Sequence, residues 1–339
     1  MMALCFILFG LLFILPFVPG ICEIRKKEDA EPLFIDMEYR KDPCYFSRSF
    51  KNKLTESINS DGKLEGILSL NLSKEETVEI IENASTLEQS SIKNVCYFKG
   101  NFNSGSNVSF EKEVYVRGNA CIGESNQLYA LACEGDVSVL KGTRFLRWID
   151  SEGSINVGEQ CDLGVSATCT GSLSIASNCS FKRLYGFPVV TGGASVLSSE
   201  EKYCSNKGEI PIFEVRCNDR NPLNIPPNSC EDYTYITSRS LTIGDNALVR
   251  GHVKALGDIV TGECVTIAGN LFAEGDIHIG AHSNIRGTVF SQGRIILDQG
   301  VTIGSKGKVK SVIGKQGIIL GYGVQVFGYV MTEGEGCIT

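Results

Sequence analysis

LTIGDNALVRGHVKALGD (residues 241–258), IVTGECVTIAGNLFAEGD (259–276) and IHIGAHSNIRGTVFSQGR (277–294) align without a gap. Gly244, Gly262 and Gly280 stand 18 residues apart; so do Gly251, Gly269 and Gly287, and again Gly257, Gly275 and Gly293. Three glycine ladders sharing one period mark a repeat architecture. A finer period of six runs inside the 18: stepping from Ile243 meets Val249, Ala255, Thr261, Ile267, Ala273, Ile279 and Ile285. Positions four further on, such as Ala247, Val253, Ile259, Val265, Leu271, Ile277 and Ser283, are mostly β-branched or Leu. A helix would repeat near 3.6 residues, so the pattern predicts three short strands per coil. Stacked coils then place equivalent residues in inward ladders such as Ile243-Thr261-Ile279-Leu297. The glycines are expected to supply φ > 0 corners between faces. After a short insertion the chain closes with IILGYGVQVFGYVMTEG (318–334).

A looser array of the same length lies upstream: EGDVSVLKGTRFLRWIDS (134–151), EGSINVGEQCDLGVSATC (152–169) and TGSLSIASNCSFKRLYGF (170–187). It begins near Asn94, and its expected stacks include Phe145-Leu163-Phe181 and Cys161-Cys179. That cysteine pair reads either as core filler or, in a secreted protein, as a disulfide. The fold class is therefore all-β, a parallel β-helix (β-solenoid) of coils about 18 residues long. It is arranged in two arrays, 94–190 and 236–339, separated by a linker or long loop at 191–235. Residues 23–93 form a lead-in; within it KDPCYFSRSFKNKL (41–54) suits an amphipathic helix near a membrane, and TVEII (77–81) reads as a strand or as the start of a helix.

Residues 1–22 carry no charged side chain, and the apolar run Ala3–Ile21 is long enough to span a bilayer. A cleaved signal peptide ending near Val18-Pro19-Gly20 is one reading. The other is an uncleaved transmembrane anchor, favoured because Arg25, Lys26 and Lys27 follow the run and no positive residue precedes it. The anchor reading places a single-pass protein in the inner membrane with the bulk of the chain cytoplasmic and its thiols reduced. Secretion would reverse this, and would give meaning to the sequons at Asn71, Asn83, Asn107 and Asn178.

The net charge of −7, with no long basic block, argues against a nucleic-acid partner. The 14 cysteines contain no Cys-x-x-Cys pair. A zinc hydrase would need three converging histidines, and an acyltransferase a histidine base beside a cleft. His252, His278 and His282 fall at unrelated positions of the coil frame. No catalytic, cofactor-binding or metal residue is predicted, no cofactor is expected, and an enzyme is not.

The repeats, with EVYVRGNACIGE (113–124), GNLFAEGDIHIGAHSNIRGTVFSQG (269–293), VFGYVMTEG (326–334) and the apolar N-terminus followed by EIRKKEDAEPLFID, resemble the bactofilins, bacterial polymer-forming cytoskeletal proteins. The resemblance implies a right-handed winding and a membrane-anchored scaffold that polymerises with itself and recruits client proteins the sequence does not name. A secreted or surface β-helix and a hexapeptide-repeat acyltransferase are the alternatives. Self-assembly is expected at the C-terminal end, where Val326, Phe327 and Tyr329 would present unpaired backbone.

Overall fold

The computed structural model describes residues 43–60, 69–71, 77–81, 91–192, 214–218 and 221–339. The expected anchor, residues 1–22, and the stretch 23–42 lie outside the described residues. The chain is an all-β solenoid of parallel coils, about 13 turns long. The predicted ladders are in place. Ile243 pairs with Thr261 and Ile279 with Leu297, and Ile267 sits between Val249 and Ile285. Phe145, Leu163 and Phe181 are all buried. The insertion leaves the stack intact: after the turn near Ser305–Lys308, Val289 pairs with Val312.

Helix α1 (Tyr45–Ser60) precedes strands β1 (Ser69–Asn71) and β2 (Thr77–Ile81), which pair antiparallel and open the first array. TVEII is thus a strand, and the array starts before Asn94. The first array ends in β3 (Ser180–Thr191). The second starts inside the stretch expected to be a linker, with β4 (Glu214–Asn218), β5 (Leu223–Ile225) and β6 (Cys230–Glu231). This coil lacks the glycine ladders, because Pro226, Tyr233 and Arg239 stand where later coils have glycine. It keeps the apolar row: Leu223 pairs with Leu241 and Ile225 with Ile243.

The last strand, β7 (Gln325–Ile338), pairs parallel with the coil below it and antiparallel with β3. The two arrays therefore meet C-terminal end to C-terminal end. One inward row crosses this seam unbroken: Cys96, Val114, Leu131, Ile149, Ala167 and Leu184 in the first array continue as Val330, Val312, Val289, Leu271, Val253 and Tyr235. All twelve belong to a single buried cluster. An antiparallel seam satisfies the edge groups of both terminal coils and continues the apolar core, so neither array needs a separate cap there.

The glycine ladders have a different cause from the one expected. Gly251, Gly269, Gly280 and Gly287 do not have positive φ. A Cβ on Gly269 would lie closer than 3.0 Å to the carbonyl of Gly251 in the coil below, and one on Gly280 would meet Gly262 in the same way. A third ladder leaves room for carboxylates: Asp258 accepts the Asp276 amide at 2.8 Å, and Asp276 accepts the Arg294 amide at 2.7 Å. The left-handed corners are held instead by Asn228, Asn246, Cys264 and His282, and then by Gly300.

Helix α1, which the sequence reads as an amphipathic helix near a membrane, turns its apolar side to the first array. Leu54 is buried, and the Phe50 ring lies 6.2 Å from those of Tyr115 and Trp148 on the outer face of the first array. Phe50 and Leu54 are four residues apart, so they share one face of the helix. They cover outward aromatic residues that a polar solenoid face would not carry.

Candidate assembly edge and the covered C-terminal end

The candidate self-assembly residues Val326, Phe327 and Tyr329 lie in the seam. Val326 pairs with Val189 and Tyr329 with Tyr185, whose rings are 4.5 Å apart. Phe327 is 6% exposed and meets Phe187 edge-on at 5.5 Å. The expectation of unpaired backbone at this end is therefore corrected: the first array of the same chain already occupies it. Sequence reasoning missed this because an antiparallel contact between distant strands leaves no period.

The incomplete edge is at the other end of the second array. Among the described residues, β4 pairs only with Tyr233–Thr237, β5 only with Leu241–Ile243 and β6 only with Leu248–Val249. The Leu223 amide donates to Ser240 and the Ile225 carbonyl accepts from Gly244, both in the next coil. Backbone groups alternate along a strand, so the N–H and C=O of Asn224 point off the edge. Glu214, Val215, Arg216 and Cys217 are exposed. The Arg216 guanidinium stacks 3.4 Å from the Tyr233 ring centroid. Tyr235 donates its hydroxyl to Glu231 at 2.7 Å, and burial together with that bond pushes its phenol up to about 12. The edge thus offers strand backbone flanked by one cation, carboxylates and aromatic rings, a surface suited to pairing with another strand edge.

A second cluster latches α1. Lys51 bridges Glu134 at 3.1 Å and Glu152 at 3.0 Å, and Tyr115 donates to Glu134 at 2.6 Å. Burial alone would raise the Glu134 carboxyl, but the bonds from Tyr115 and Lys51 outweigh it and hold the group below its ordinary value. Ser47 donates to Asp150 on the same face.

The histidines are dispersed. His252 Nδ1 accepts the Asn270 amide at 2.9 Å, His278 Nε2 lies 2.9 Å from Asp298, and His282 forms a left-handed corner. Among the described residues no group of three or more His, Cys, Asp or Glu could hold a metal ion. Cys161 and Cys179 are stacked in adjacent coils, both buried, with the Cys161 amide donating to the Cys179 sulfur at 3.4 Å.

No family model matches this chain. No curated protein and no solved structure matches it either. Among the described residues no helix is long and apolar enough to cross a membrane.

Proposed function

We propose that the chain is a self-assembling structural scaffold, bactofilin-like in role and right-handed in winding. In this reading residues 1–22, outside the described residues, hold it at the inner membrane with its bulk in the cytoplasm. It has no catalytic role; client proteins dock on it. The observation that carries the reading is the edge formed by β4, β5 and β6, with pairing on one side only among the described residues. Such an edge is a template for another strand. The chain already joins two solenoid ends antiparallel, through β3 and β7. Two copies meeting edge to edge about a two-fold axis would repeat that arrangement, and a two-fold is the commonest symmetry of self-association. Tethering in a membrane would raise the effective concentration of copies. Assembly is assigned to the N-terminal coil of the second array, not to its C-terminal end.

A secreted β-helix is the second reading, and one observation favours it: the sequon residues Asn107 and Asn178 are exposed corners, open to glycosylation. Electron microscopy of the full chain in detergent tests the scaffold. Paired or filamentous particles are expected. Single solenoids at every concentration would refute it, and a glycosidase-sensitive mass on the native protein would establish the secreted reading.

A further inference from the structure

We propose that Cys161 and Cys179 form an oxidisable dithiol whose disulfide locks the coil that carries the seam between the two arrays. The two residues follow the left-handed corners Gln160 and Asn178, so they occupy the same position in consecutive coils. Stacked strands lie about 4.8 Å apart, inside the Cα separation that disulfides span. The Cys161 amide donates to the Cys179 sulfur at 3.4 Å. The thiols also donate to equivalent carbonyls, Cys161 to Leu140 at 3.3 Å and Cys179 to Gly158 at 3.2 Å. The neighbouring Cys179 holds the Cys161 thiol below its usual value, against burial, and Cys161 in turn pushes Cys179 up. Cys133 and Cys169 share another row, but Ser151 stands between them.

Both sulfurs are buried, so the fitting oxidant is small: hydrogen peroxide. The Cys161 thiolate attacks one peroxide oxygen; an S–O bond forms, the O–O bond breaks, and hydroxide leaves to be protonated to water. The Cys179 thiol then attacks the sulfenic sulfur; the S–S bond forms, the S–O bond breaks, and a second water leaves. Two thiols are oxidised and one peroxide is reduced to two waters. The location matters because Cys179 is itself a seam residue. Its carbonyl accepts the Ile338 amide at 3.0 Å, and the Asn178 amide donates to Ile338 at 2.8 Å. The disulfide would tie this coil covalently to the one before it, closing a short loop in the unfolded chain.

The test uses the full chain in detergent, reduced, freed of reductant and treated with hydrogen peroxide. Free thiols are alkylated under denaturing conditions, and the unreduced digest is read by mass spectrometry. The expected result is a linked pair of peptides holding Cys161 and Cys179. Melting should rise by about 5 °C or more, and amide exchange across 325–339 should slow. Cys179→Ser, which keeps a small donor at the site, should show none of these changes. Recovery of both residues as alkylated thiols, while the exposed Cys217, Cys230 and Cys264 are oxidised, would overturn the proposal. So would a linkage that leaves exchange across 325–339 unchanged.

Discussion

Gly269→Ala separates two explanations of the glycine ladders. If the ladders existed to supply left-handed corners, alanine would cost only the strain of that conformation. Gly269 has no such conformation, and its added Cβ would fall closer than 3.0 Å to the carbonyl carbon and oxygen of Gly251 and to the Cα of His252. All three obstacles are backbone, held in register by the ladder, so none can swing aside. Overpacking of this kind costs about 1–3 kcal/mol, and rigid surroundings favour the upper part of that range. Stiffening of the unfolded chain returns about 0.4–1 kcal/mol. The net expectation is a loss of about 2 kcal/mol. Gly307 is the control: its φ is +85°, and nothing lies within 4 Å of a Cβ placed there. Gly307→Ala should carry only left-handed strain, about 1–2 kcal/mol, less the same entropic return. In thermal melts followed by circular dichroism, Gly269→Ala should melt several degrees below Gly307→Ala. Equal or inverted midpoints would refute the close-approach explanation.

Two further outcomes follow from the seam and the latch. Phe327→Arg would bury a cation against Phe187, costing about 3–5 kcal/mol, so the melting midpoint should drop markedly; unchanged melting would mean that the seam is not formed. Glu134 is held below its ordinary value, so its contribution is present above the ordinary carboxylate range and lost as pH falls through the depressed value. Emission from Trp148, the single tryptophan, should therefore shift red at acid pH as Phe50 loosens, and Glu134→Gln should show the loosened signal already at neutral pH.

The second array was legible because its apolar ladders are β-branched and its glycines repeat. The reason for those glycines was not legible, since a close approach between coils and a left-handed corner select the same residue. The true corners escaped notice because Asn246, Cys264 and His282 share only a tolerance for one backbone conformation, not a chemistry. The first coil of the second array was hidden by Pro226, Tyr233 and Arg239, although Leu223 and Ile225 keep its core row. Helix α1 was visible as an amphipathic segment, but its partner was not: Tyr115 and Trp148 sit at outward positions that a strand pattern assigns to solvent. The seam had no sequence signal at all, and it moved the candidate assembly site from Phe327 to Asn224.

The most direct measurement of the scaffold claim is sedimentation velocity on the full chain in detergent, wild type against Asn224→Pro. Proline removes an N–H that points off the open edge and leaves the Leu223 and Ile225 bonds to the next coil in place. The wild type should form concentration-dependent assemblies and the variant a single small species, with both melting at nearly the same temperature. Assemblies of equal size in both proteins would contradict it.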